Sequence, residues 1–236
     1  MKKSIIAVVT FILLSACKNN ESKTNLHVTG NIKGLKKGTL YIQKIQENKL
    51  VAIDTIKMDG SSSFESHLDL KSPEMLYLFL DRGVTNSLDN NLPFFAEPGT
   101  INIETSLDRY LYDAAITGSK NHEKYEEYKK INTRFTEQNL SLLELKFSAI
   151  KSKNIKRIDS ITAKQDNNTK RKYLFATNFA LNNRTYEIAP FIALSEIYDI
   201  NIKYLDTIQK SMSPQVANSL YGKKLTQYIA SIKSQK

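Results

Sequence analysis

The chain holds one cysteine, Cys17, so no intrachain disulfide and no intrachain dithiol cycle can form, and stability has to come from packing. Long apolar runs are missing too: residues 5–14 make a run of about ten, roughly half of the 20 or so that a membrane-spanning helix needs. A permanent transmembrane anchor is therefore not expected. The three histidines, His27, His67 and His122, are far apart in sequence and form neither His-x-x-x-His nor His-Glu-x-x-His. Each reads as an ordinary polar residue, and no metal or cofactor is expected. Neither Gly-x-Ser-x-Gly nor the Gly-x-x-x-x-Gly-Lys phosphate loop occurs. Asp54, Asp59 and Glu65 are close in sequence, but Asp54 and Asp59 flank an apparent hairpin, where Asp-Gly turns are routine. Nothing singles out a carboxylate pair for acid-base work, no catalytic residue is assigned, and the chain is not expected to be an enzyme.

What is present begins with Lys2 and Lys3, the apolar run at 5–14, and "LSAC" at 14–17. That order is a secretory signal peptide. "LSAC" also resembles the bacterial lipobox, in which the Cys sulfur takes a diacylglyceryl group, cleavage falls just before the Cys, and the new amine is acylated. Cys17 is accordingly expected to be lipidated with palmitate-type chains and residues 1–16 to be removed. Residues 18–25, "KNNESKTN", then form a polar tether without apolar periodicity. Each buried methylene contributes about 0.8 kcal/mol, so one acyl chain binds reversibly while two or three hold the protein on a membrane. Lys18 rather than Asp follows Cys17, and Glu21 is the one acid in the tether. The expected address is the cell envelope, at the outer membrane facing the periplasm, where nucleic acid is not an expected partner.

The composition, 41% hydrophobic and 25% charged, is that of a globular protein, and the length suits one large domain or two small ones. Charge divides the chain unevenly. Residues 17–118 carry 11 cations against 13 anions, whereas residues 119–236 carry 21 against 11. Pattern changes at the same place, which puts a domain boundary at 118–120. Before it lie eight short runs rich in β-branched and aromatic residues: "LHVTGNIKG", "GTLYIQKI", "KLVAIDTIKM", "SSSFESHLDL", "EMLYLFL", "LPFFAE", "TINIETS" and "YDAAITG". Turn signals separate them at Gly34, Lys37-Gly38, Asp59-Gly60, Ser72-Pro73 and Pro98-Gly99. In the second run Leu40 and Ile42 share one face and Tyr41, Gln43 and Ile45 the other. The longest polar interruption is residues 81–91.

After the boundary the period becomes helical. Tyr128, Ile131, Phe135, Gln138, Leu142, Leu145 and Ala149 step by three and four, as do Ile155, Ile158, Thr162, Gln165, Thr169, Ala176 and Phe179. "KSKN" at 151–154 joins the two stretches, which predicts an antiparallel helical hairpin whose seam, holding Gln138, Gln165 and Thr169, is not fully dry. Two shorter helices are expected near 188–198, with Pro190 in the first turn, and near 217–232. The predicted fold class is α+β: an antiparallel β-sandwich or barrel-like domain over 26–118, then a helical region over 119–236 with a long helical hairpin.

The stretches "VTGNIKGLKKGTLYIQKI", "IDTIKMDGSSSFES", "LPFFAEPGTINIETS" and "ITGSKNHEKYEEY" resemble the domain of unknown function 4369, a family borne on lipoproteins and common in Bacteroidota. The likeness rests on Gly30, Ile32, Gly34, Leu35, Gly38, Asp54, Gly60, Phe64, Glu97, Pro98, Gly99, Ile101, Ile103, Gly118, Ser119 and Asn121. It is clear over residues 26 to about 130 and weak through "APFIALSEIYD" and "LTQYI". Turn glycines and core residues dominate the match, so it speaks to fold more than chemistry. Relatives commonly carry a thioredoxin-like domain after the helices, with a Cys-x-x-Cys pair. This chain has no such pair, a lipidated Cys17 offers no thiolate, and the thioredoxin-like domain is expected to be lacking.

The basic half suggests one further contact. Lys151, Lys153, Lys156 and Arg157 in "KSKNIKR", and Lys170, Arg171 and Lys172 in "TKRKY", could meet a polyanion such as lipopolysaccharide or anionic lipid headgroups; a solvated helix face is the plainer reading. The function expected from sequence is that of a lipid-anchored envelope lipoprotein, non-catalytic, binding a protein or glycan. The alternative is an accessory to thiol-disulfide chemistry that recruits a separate thioredoxin-like partner.

Overall fold

The structure is a computed structural model that describes residues 24–83 and 88–234. The stretch expected to be a signal peptide, Cys17 and most of the expected tether lie outside the described residues, as does the middle of the polar loop at 81–91. All eight expected strands form: β1 (Leu26–Lys33), β2 (Lys37–Gln46), β3 (Lys49–Asp59), β4 (Ser63–Leu68), β5 (Glu74–Asp81), β6 (Asn91–Ala96), β7 (Gly99–Ser106) and β8 (Ala115–Thr117). They make two four-stranded sheets, which decides for a sandwich over a barrel. Sheet 1 has the order β4-β1-β7-β8 and sheet 2 the order β3-β2-β5-β6. The pairing is antiparallel with one exception, β1 with β7, which run parallel from Leu26↔Gly99 to Lys33↔Ser106. Such a pair cannot be joined by a tight turn, and here all of sheet 2 lies between the two strands in sequence.

Alternation along the strands fills the space between the sheets. Leu26, Val28 and Ile32 of β1, Leu40 and Ile42 of β2, Leu76, Leu78 and Leu80 of β5, and Ile101 and Ile103 of β7 point inward and form one core. Gly30 holds the inward slot that those residues skip. It pairs with Phe64 across β1 and β4, and a Cβ there would overlap the Phe64 ring and the Ile103 carbonyl. The phenyl ring thus takes the place of the missing side chain.

Six helices follow: α1 (Lys120–Lys151), α2 (Ile155–Asn182), α3 (Ile188–Glu196), α4 (Ile202–Ser211), α5 (Pro214–Ala217) and α6 (Leu220–Ser234). The hairpin and the placement of Pro190 in the first turn of α3 agree with the sequence reading; α4 and α5 are additions to it. Ile202, Leu205 and Ile208 step by three behind the Asn201 cap, which accepts from Lys203 N–H, and that spacing is the signal for α4. A second core joins the base of the hairpin and α3 to α6 with the outer face of sheet 2, through Met75 and Phe95. The β5-β6 half of sheet 2 is therefore covered on both faces, while β3 at its edge stays exposed.

The hairpin seam is narrower than expected. Tyr128, Leu142 and Ala149 are buried and Phe135 partly so, a seven-residue step, while Gln138 and Leu145 face solvent. On α2 the buried positions are Ile161, Asn168, Ala176, Thr177 and Ala180; of the expected stripe Ala176 is buried, Ile158, Thr162, Gln165 and Phe179 are half-buried, and Ile155 and Thr169 face solvent. Polar groups do cross it: Lys146 Nζ donates to Gln165 Oε1 at 3.2 Å and Asn168 Nδ2 to the Phe135 carbonyl at 2.8 Å.

Candidate functional site

The joint between the β and helical parts is built by residues that sequence reading assigned to the fold. The first backbone N–H groups of a helix lack intrahelical partners, and in α1 three of them are met from outside the helix. Glu97, just past β6, accepts from Lys120 N–H at 2.7 Å and Asn121 N–H at 3.3 Å, and Ser119 Oγ accepts from His122 N–H at 3.0 Å. The carboxylate also sits where the helix dipole favours negative charge. Asn121 Nδ2 bridges Glu97 (2.7 Å) and the buried Glu187 (3.0 Å), and its Oδ1 accepts from Ile188 N–H at 2.9 Å. Three connections, one to the end of β6 and two to the start of α3, thus pass through one amide.

His122 belongs to the same joint. Its Nδ1 accepts from Phe95 N–H at 3.3 Å, and its Nε2 lies 3.3 Å from Glu126 Oε1. Burial pushes its pKa down to about 4 against the pull of Glu126, with Lys129 adding to the depression. At neutral pH the contact with Glu126 is therefore a hydrogen bond from a neutral imidazole protonated on Nε2, not an ion pair. These groups position backbone.

Beyond this joint the hairpin stands alone. Its outer end has a small core of Leu142, Ala149 and Ile161, and α1 presents a second apolar stripe to solvent. Leu140, Leu143, Phe147 and Ile150 are 57%, 37%, 62% and 50% exposed. Their spacing of three and four residues is that of coiled-coil seam positions. Along α1 the stripe is flanked by Glu137, Asn139, Glu144 and Lys151, while Lys146 turns to Gln165 across the seam and Lys153 lies in the turn beyond the helix, so positive charge gathers at the tip of the hairpin. The sequence-predicted cations divide here. Lys151, Lys153, Lys156 and Arg157 gather, exposed, around the turn between α1 and α2. Lys170, Arg171 and Lys172 lie 13 or more residues along α2, about 20 Å away, and do not join them. Lys172 pairs with Glu196 at 3.3 Å, and Arg171 lies 5.9 Å from the Phe135 ring centroid. The two basic runs therefore do not form one surface.

The outer face of sheet 1 is uncovered and polar. His27, Thr29 and Asn31 of β1, Ser63, Glu65 and His67 of β4, and Asn102 and Glu104 of β7 point outward, and most of them line a shallow groove. His27 and His67 are directly opposite in the β1-β4 register. Their rings stack with centroids 4.2 Å apart and planes 8° from parallel, and Glu65 Oε2 lies 3.6 Å from His27 Nε2. One ligand atom from each of His27, Glu65 and His67 lies within 4.8 Å of the others. Spacing in sequence hid this cluster, because His27 and His67 meet through strand register and not through a local repeat.

Among the described residues no helix is long and apolar enough to cross a membrane. No curated protein and no solved structure matches the chain. Residues 26–125, the whole sandwich and the start of α1, match the model of the family described as Domain of unknown function (DUF4369), and this stretch of the chain is similar to that family.

Proposed function

We propose that this chain is a lipid-anchored, non-catalytic module of the cell envelope that binds a protein partner through the free end of its helical hairpin. The observation that carries the reading is the exposed stripe of Leu140, Leu143, Phe147 and Ile150. Contiguous exposed apolar surface on a soluble fold marks an interaction site, and this spacing fits a helix laid along it. The tip sets the partner's chemistry: with Lys151, Lys153, Lys156 and Arg157 exposed around the turn where the stripe ends, the fitting occupant is an amphipathic helix with acids beside the part of its apolar face that reaches the tip. A second copy of this chain would bring lysine against lysine. A bilayer is a poorer match, because Lys156, Arg157 and Asp159 make the adjoining start of α2 polar, whereas an interfacial helix needs a broad apolar face.

Anchoring at Cys17 supplies the location. Cys17→Ala is expected to release the protein from membranes with its fold intact; unchanged membrane association overturns the anchor. The binding reading is tested by photo-cross-linking in the native envelope from a probe placed at position 147. A discrete adduct with a helical, acid-flanked protein segment, lost in Leu143→Glu and weakened by salt, supports it. Adducts only with lipid, only with a second copy, or none at all overturn it. The identity of the adduct also decides whether the partner is thioredoxin-like.

A further inference from the structure

We propose that His27, Glu65 and His67 form a binding site for a divalent transition-metal ion on the outer face of sheet 1, independent of the hairpin. The three side chains come from two paired strands, so the backbone already sets their approach. His27 on β1 faces His67 on β4, and residues so opposed have Cβ atoms about 4.5–5.5 Å apart. Glu65 stands two residues from His67 and therefore on the same face.

A tetrahedral ion with bonds of about 2.0–2.1 Å needs its donors about 3.4 Å from one another. The donors here lie within 4.8 Å; the rings, stacked 8° from parallel, present their in-plane lone pairs side by side, so binding requires the exposed His67 ring to turn out of the stack about its own torsions, with the exposed Glu65 following. One nitrogen gains most from the ion. His27 Nε2 is buried without a hydrogen-bond partner among the described residues, and the Glu65 carboxylate at 3.6 Å is beyond hydrogen-bond distance. A metal ion satisfies that lone pair and neutralises the carboxylate together.

The donor set determines the class of ion. Two imidazoles and one carboxylate suit Zn²⁺, Cu²⁺ or Ni²⁺, whereas Mg²⁺ and Ca²⁺ take oxygen donors. Of the three ligands Glu65 lines the groove beside Thr29 and Asn102, and water can complete the shell. Since β4 is the edge of sheet 1 and pairs with β1 alone, the ion pins an edge strand to its neighbour. Because imidazoles ligate in their neutral form, binding weakens in acid.

The test uses the whole chain carrying Cys17→Ala, so that no free thiol contributes. Zn²⁺ titrated by calorimetry is expected to bind at one ion per chain, with affinity reduced about 100-fold or more in His67→Ala and about 10-fold in Glu65→Gln. Cu²⁺ in the same protein is expected to give an electron paramagnetic resonance spectrum coupled to two nitrogens. Both substitutions fall on exposed side chains, and circular dichroism without metal confirms that the variants remain folded. Absence of Zn²⁺ and Cu²⁺ binding, equal affinity in parent and His67→Ala, or a Cu²⁺ spectrum without two coupled nitrogens overturns the site.

Discussion

The two sheets of the sandwich share one core and differ in what they do with their other faces. Sheet 1 turns His27, Thr29, Asn31, Glu65 and Asn102 to solvent; sheet 2 turns Met75 and Phe95 into a second core beneath the helices. Phe94 and Phe95 make the point within two residues: both are fully buried, the first between the sheets and the second under the helices. A strand with one wet face alternates in sequence, as "SFESHL" does, and a strand buried on both faces reads as a continuous apolar run, as "MLYLFL" and "LPFFA" do. The face that is free to bind is thus the one whose alternation is clean.

The contrast can be attacked most directly at Phe95. Phe95→Ala should cost about 3–5 kcal/mol in denaturant unfolding, while Thr29→Ala on the open face of sheet 1 should stay within about 0.5 kcal/mol. Similar small losses at both positions would break the distinction between a covered and an open sheet.

Acid probes the covered face next. The pKa of His122 is held at about 4 in the folded protein against 6.5 for a free imidazole, so the unfolded chain binds the extra proton first. Its contribution is complete above pH 6.5 and is lost as pH falls toward 4, about 3 kcal/mol in all. Thermal or denaturant stability measured across that window should fall accordingly, and His122→Gln should flatten the dependence; an unchanged slope in the variant would place the acid sensitivity elsewhere.

At Asn121 the expected effect is smaller. Removing the amide in Asn121→Ala leaves Glu187 buried without that donor and should cost about 1–3 kcal/mol, with the helices loosening before the sandwich in hydrogen exchange. Uniform exchange across both parts would show that the joint does not couple them in this way. The smallest effect belongs to the hairpin. Phe147→Ser removes an exposed side chain and should change stability by no more than about 0.5 kcal/mol; a larger loss in unfolding experiments would mean that the stripe is already partnered within the fold.

The strands and the α1-α2 hairpin were legible because each has a repeat that neighbouring residues display, two for a strand and about 3.6 for a helix. The seam of α1 was half legible. A three-and-four step placed Tyr128, Leu142 and Ala149 correctly and Leu145 wrongly, because a helix apolar on more than one side offers several such stripes. The stripe at Leu140, Leu143, Phe147 and Ile150 was therefore passed over. Glu97, Ser119 and Asn121 stood out in the resemblance as fold markers, but their role as one hydrogen-bonded joint needed the end of β6, the start of α1 and the start of α3 in one place.

Strand number, the change from β to α near Gly118, and the polar or apolar character of each strand face follow from consecutive residues, since the chain's repeat geometry maps local order directly onto faces. The parallel pairing of β1 with β7, the choice of sheet 2 as the face that receives the helices, and the meeting of His27 with His67 across 39 intervening positions do not. Those depend on which distant faces fit when the loops close, and no local pattern carries that information.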